Sequence, residues 1–104
     1  MAGWLIEEHG TRVRDFIRAL NDDRAFKEAR ALIELLASRG NRLQPPRSKP
    51  LGDGLFEMRG RQVRIFYTFR SGHRIVLLDA IVKKRDDILR EVLARVRQLN
   101  NQVR

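Results

Sequence analysis

The sequence predicts an α+β domain: a helix hairpin and a C-terminal helix packed on a small, twisted antiparallel sheet. Three observations predict it. Two amphipathic helical stretches follow each other after a short break. Three strand-like runs come next, separated by tight-turn signals. A last stretch with apolar residues at helical spacing closes the chain. With 104 residues, the chain fits one domain spanning 1–104.

The elements can be justified in order. "WLIEE" (4–8) reads as a short edge strand, ended by His9-Gly10. Thr11 stands at an N-cap position. Val13, Phe16, Ile17 and Leu20 then fall on one helical face. Asn21-Asp22-Asp23 breaks that helix and caps the next, whose stripe is Phe26, Ala29, Leu32, Ile33 and Leu36. Gly40 suits the position past its end. Residues 41–54, "NRLQPPRSKPLGDG", carry three prolines and two late glycines and read as an irregular crossover. Leu43 and Leu51 would pin it to the sheet.

"LFEMR" (55–59), "QVRIFYTF" (62–69) and "RIVLLDAIV" (74–82) read as an antiparallel meander, with turns at Gly60-Arg61 and Ser71-Gly72. Alternation puts Val63, Ile65, Tyr67 and Phe69 on one face and Arg64, Phe66, Thr68 and Arg70 on the other. The third run is apolar on both faces, as a central strand is. In "RDDILREVLARVRQL", Asp86 or Asp87 caps a helix with the stripe Ile88, Leu89, Val92, Leu93, Val96 and Leu99. Glu91 and Arg95 form an i,i+4 pair there.

Charge is the most informative part of the composition. The net charge is +9. Residues 41–85 hold eleven basic and three acidic residues, so +8 of that total lies on the meander and the crossover before it. Such a field attracts polyanions, nucleic acid first among them. The absence of cysteine excludes disulfides, thiolate metal sites and a cysteine nucleophile, and it suits a reducing cytoplasm. No apolar run approaches the ~18 residues of a membrane span. The sequence contains no phosphate-binding glycine loop and no dinucleotide fingerprint. Two histidines, one in each half, make a poor metal site, so neither a metal nor another cofactor is expected.

Arginines and lysines near one sheet face suit phosphate chemistry. RNA can be cut without metal when its own 2′-hydroxyl attacks the adjacent phosphorus. The protein must then move two protons and stabilise extra charge on the phosphate. Arginine binds phosphate with a planar fork, and lysine acts as a point charge or a proton carrier. Arg59 and Arg64, on neighbouring strands, could grip a phosphate or simply pair with Glu57. Lys83 and Lys84 end the last strand. Tyr67 reads first as core and second as a site residue; His73 reads first as a turn residue and second as an acid–base group. Asp79, within an apolar run, calls for a backbone or arginine partner. Phe66 could stack on a base or fill the space between sheet and loop.

The runs WLIEEHG, LIELLASRG, LQPPRSKPLGDGLFEMR, VRIFYTF and RIVLLDAIVKK, in that order, resemble the RelE/ParE toxin superfamily, most closely its HigB-like, phage-derived branch. The resemblance covers residues 4 to about 99. It implies a RelE-like fold and a toxin of a type II toxin–antitoxin pair. Many such toxins cut mRNA in the ribosomal A site without metal, and in this branch a small helix-turn-helix DNA-binding antitoxin usually neutralises them. It also implies that Arg59 and Arg64 hold the scissile phosphate, that Lys83 and Lys84 are the basic pair after the last strand, and that Lys49 is the loop lysine. The chain departs from the pattern in having Ile81-Val82 where an aromatic residue commonly precedes the lysines. Arg85-Asp86-Asp87 replaces a Thr/Pro-containing segment, and a C-terminal tyrosine or histidine is missing, which leaves proton donation to lysine.

The resulting expectation is a cytoplasmic, ribosome-dependent mRNA endoribonuclease that inhibits translation, without cofactor or metal. Its catalytic residues would be Arg59, Arg64, Lys83 and Lys84; its RNA contacts would be Arg47, Lys49, Arg61, Tyr67, His73 and Arg85. Its partners would be the antitoxin, the ribosome and mRNA, with no membrane. A gyrase-inhibiting toxin on the same fold and an inactive RNA-binding relative are the alternatives.

Overall fold

The computed structural model describes residues 3–84 and 90–103. The elements are β1 (Leu5–Glu8), α1 (Arg12–Ala19), α2 (Asp23–Arg39), a 3₁₀ turn (Gly40–Arg42), β2 (Ser48–Gly52), β3 (Leu55–Arg59), β4 (Val63–Arg70), β5 (Arg74–Val82) and α3 (Arg90–Val103). The α+β class and the helix hairpin agree with the sequence-based expectation. The residues expected to cap the last helix, Asp86 and Asp87, lie outside the described residues, as do Ile88 and Leu89 of its stripe.

The sheet has the order β1-β5-β4-β3-β2. It departs from the expected meander at both edges. β1 runs parallel to β5, with Leu5 opposite Arg74 and Glu8 opposite Leu77, so the sheet is mixed. The proline-rich crossover is not wholly irregular, because Ser48–Gly52 pairs antiparallel with β3. Pro50 is tolerated because β2 is an edge strand, where a missing N–H costs no ladder bond. The register slips between Pro50 and Gly52.

Two cores lie on opposite faces. On one, Val13 of α1 and Ala25, Ala29, Leu32 and Leu36 of α2 pack on Met58, Val63, Ile65, Tyr67, Ile75 and Leu77. Phe26, expected in the α2 stripe, is half-buried and sits under the Arg30 guanidinium, 6.0 Å from its ring. On the other face, Val92, Val96 and Val103 of α3 cover Leu55, Phe66, Val76 and Leu78. Phe66 is fully buried there, so it fills the core instead of offering a face to a base. Full burial of one such side chain is worth roughly 1.5–3 kcal/mol.

A bulge opposite Phe66 and Tyr67 inserts Leu78 into β5 and brings Asp79 opposite Phe66. The Asp79 carboxylate is buried and accepts from the Arg95 Nε at 2.7 Å. It also accepts the Ala80 backbone N–H at 2.8 Å, so the expected arginine and backbone partners are both present. Arg95 therefore turns inward to the sheet, away from the surface pairing expected with Glu91.

Helix ends follow local chemistry. Asp22 caps α2 by accepting the Arg24 N–H at 2.9 Å. Thr11 occupies the α1 cap position, but its hydroxyl donates to Asp15 at 2.9 Å and accepts no cap bond. Gly40 ends α2 at φ +50°, and a Cβ there would lie 2.1 Å from the Trp4 indole nitrogen. Gly40→Ala is therefore expected to lower stability by about 2 kcal/mol, from left-handed strain plus overpacking. A denaturation midpoint equal to the parent's would contradict that. No helix among the described residues is long and apolar enough to cross a membrane.

Candidate functional site

Arg59 ends β3, and Arg64 stands directly opposite it near the start of β4. Opposed residues in an antiparallel pair share a face, so two guanidiniums are forced together. Like charges in that arrangement destabilise a sheet unless an anion lies between them. Glu57, two residues before Arg59 and on the same face, supplies it. Its carboxylate is 3% exposed. It lies 3.6 Å from the Arg59 Nε and 3.6 Å from the Arg64 Nε. These are ion-pair distances, longer than a hydrogen bond. The orienting ion-pair role considered for Glu57 matches this geometry.

The two arginines are held differently. The Arg64 side chain is only 6% exposed, and its Nη1 donates to the carbonyls of Gly60 and, at 3.3 Å, of Val63. The Arg59 side chain is 31% exposed. Arg64 is thus a fixed charge at the base of the site, and Arg59 is a reachable one at its wall.

The crossover brings in a third arginine. Its backbone carbonyl accepts the Arg59 N–H at 2.8 Å, and the Arg47 Nη1 donates back to the Arg59 carbonyl at 2.9 Å. Pro46, Arg47, Arg59, Gly60, Arg61 and Arg64 line a cleft of ≈ 350 Å³. Four of the expected site residues, Arg47, Arg59, Arg61 and Arg64, therefore share one cavity.

The turn beneath the cleft is anchored by Glu28 of α2, which the sequence reading missed. Its carboxylate accepts the backbone N–H groups of Arg61 at 2.8 Å, Gln62 at 2.8 Å and Val63 at 2.7 Å. Gly60 permits the approach, since a Cβ there would lie 2.6 Å from the Glu28 carboxyl carbon. No side-chain motif signals such a contact, because all three donors are main-chain groups. The half-buried position of Glu28 shows only in the folded chain.

The remaining expected residues divide by position. Lys83 follows β5 beside the same turn, with its backbone N–H on the Gln62 carbonyl. Lys84 is next to it and exposed. Lys49 is exposed and stands opposite Glu57 in the β2–β3 register. Arg85 lies outside the described residues.

Tyr67 and His73 do not join the cleft. Tyr67 is 1% exposed, and its hydroxyl is 2.6 Å from that of buried Ser48. Burial raises its pKa above 10.0, partly offset by the Ser48 hydrogen bond. The unfolded state then loses its proton first. The contribution of Tyr67 is complete below pH 10 and declines as pH rises above that value. Stability measured against pH should show this decline, and Tyr67→Phe should remove it. His73 sits at φ +59° in the β4–β5 turn, with its ring stacked 4.1 Å from that of Trp4. β5 separates it from Lys83 by about 30 Å at ~3.4 Å per residue. Aromatic packing with Trp4 accounts for its position.

The model of the phage-derived, Gp49-like protein family matches residues 15–100. The chain belongs to that family. Its fold is shared with two solved complexes, the first of them a toxin–antitoxin complex. For RelBE2 from Mycobacterium tuberculosis, the TM-score is 0.54 at 23% identity, covering 82% of this chain and 97% of that one. For the archaeal RelE–RelB complex from Pyrococcus horikoshii OT3, the TM-score is 0.60 at 16% identity, covering 82% and 99%. No curated protein matches the sequence. The Gp49-like chain thus has the RelE-like fold and the phage-derived family membership that its motifs imply.

Proposed function

We propose that this Gp49-like protein is the toxin of a toxin–antitoxin pair and cuts mRNA on the ribosome. The observation that carries this reading is the convergence of Arg47, Arg59, Arg61 and Arg64 on one cleft. A phosphodiester there meets a buried guanidinium, Arg64, and a more open one, Arg59. The 2′-hydroxyl gives its proton to water as its oxygen forms a bond to phosphorus and the bond to the 5′-oxygen breaks. Arg59 and Arg64 carry the charge that builds on the non-bridging oxygens, as preorganised donors do. Lys83 and Lys84, beside the turn, add positive charge and give the leaving 5′-oxygen its proton. Lys49 and Arg47 hold the flanking backbone, and Arg85 adds a further contact. The RelBE2 structure of this fold is a toxin–antitoxin complex, which supports a proteinaceous antitoxin here.

The test is in vitro translation with primer extension on the translated message. Discrete cuts that require ribosomes and disappear on replacing Arg64 are expected. Arrested supercoiling by gyrase with intact mRNA would overturn the reading.

A further inference from the structure

A second cleft, of ≈ 480 Å³, is lined by Leu35, Arg39, Arg42, Leu43, Gln44 and Arg47. Arg47 lines both clefts, so they meet at that residue. None of the residues lining the second cleft is acidic. Arg39 ends α2 and Arg42 ends the 3₁₀ turn, and both are exposed. Arg42 is held only loosely, by a 3.4 Å bond to the Ser38 carbonyl. Leu35 and Leu43 are half-buried against the main core and give the cleft a fixed apolar floor.

That combination fits one class of ligand. Guanidinium forks take phosphate oxygens, and their planar faces stack on bases. An apolar floor accepts an unpaired base, which a duplex would keep inside its stack. We propose that Arg39, Arg42 and Arg47 form a track for single-stranded RNA, continuing the strand away from the phosphate held by Arg59 and Arg64. This rests on reading the first cleft as an RNA site. It extends the ligand from one phosphate to several consecutive nucleotides.

The test uses the full chain and two fluorescent RNA oligonucleotides, one of three nucleotides and one of ten. The variant is the double substitution Arg39→Gln/Arg42→Gln, with its denaturation midpoint checked against the parent. Each phosphate contact contributes about 0.7 to the salt slope for a single strand. Between 50 and 200 mM salt, the parent should therefore lose about sevenfold more affinity for the long oligonucleotide than the double variant does. Binding of the short one should be the same in both.

Unchanged affinity and salt slope for the long oligonucleotide would overturn the track. So would a variant that binds RNA as the parent does but loses binding to a poly-glutamate peptide, since the cleft would then take an acidic polypeptide. The readout is binding, so it separates from the nuclease reading. A parent that cuts no mRNA but shows the slope difference keeps the track and loses the nuclease. A parent that cuts mRNA without the slope difference does the reverse.

Discussion

Arg64→Gln is expected to slow ribosome-dependent mRNA cleavage by about a hundredfold, the usual cost of removing one preorganised charge stabiliser. Arg64 should matter more than any other arginine of the cleft because its position is fixed before substrate arrives. The Glu57 carboxylate and the Gly60 and Val63 carbonyls hold its guanidinium. Burial also lowers the local dielectric, which strengthens its action on a developing phosphorane. Glutamine keeps some bulk and a donor but has neither the charge nor the fork. Arg64→Lys keeps the charge without the fork, so it should recover only part of the rate. Arg59→Gln should cost less, because Arg59 is open to water and its charge is better screened.

The measurement is the single-turnover cleavage rate on programmed ribosomes, with folding checked by denaturation. Removing Arg64 leaves buried Glu57 with Arg59 as its neighbour, so some loss of stability is expected and must be separated from the loss of rate. A well-folded Arg64→Gln variant cutting within threefold of the parent would remove Arg64 from the chemistry.

Much of this site can be read from residue order, and the reasons are local. Gly60-Arg61 marks a tight turn, and alternation on either side of it fixes which side chains share a face. That Glu57, Arg59 and Arg64 share a face follows from those two rules, but a Gly60-Arg61 turn would set Arg59 against Gln62. The Gly60 N–H bonds the Val63 carbonyl instead, which moves the turn to Arg61-Gln62 and puts Arg59 opposite Arg64. Tyr67 on the Val63, Ile65 and Phe69 face follows in the same way. The features that could not be read depend on contacts between segments distant in sequence. "WLIEE" reads as a strand, but nothing within it selects β5 as a parallel neighbour. Ser48–Gly52 pairs with β3 despite Pro50, because tertiary pairing at a sheet edge overrides local composition. Arg95 meets Asp79 because a bulge re-aims β5, and bulges leave little trace in an apolar run. Nothing local in the sequence singles out Arg39 and Arg42; they line one cleft with Arg47 because the crossover folds back beside the end of α2.

Glu28→Ala is expected to lower stability by about 3 kcal/mol and to slow cleavage as well. Three backbone N–H groups converge on this carboxylate, at 2.7–2.8 Å. Hydrogen bonds to a charged acceptor contribute about 1.5–3 kcal/mol each. The full sum is not expected, because a partly exposed turn regains water when the side chain is removed. The effect on rate comes through geometry. The Gly60–Val63 turn joins the strands that carry Arg59 and Arg64, and its Gln62 carbonyl receives the Lys83 backbone N–H. A loosened turn lets the cationic groups of the cleft drift apart, and a misplacement near 1 Å can cost on the order of a hundredfold.

Glu28→Gln separates charge from shape. Its amide oxygen can still accept from Gln62 and Val63, but its NH₂ would face the Arg61 N–H, donor against donor. It should therefore fall between the parent and Glu28→Ala in both stability and rate. The turn has one backbone bond of its own across its base, from the Gly60 N–H to the Val63 carbonyl at 2.9 Å. If Glu28→Ala unfolds at the parent's denaturant concentration and cuts at the parent's rate, that bond and the flanking strands suffice. Glu28 would then be a surface acid that happens to rest on the turn, and the placement of the arginines would belong to the sheet alone.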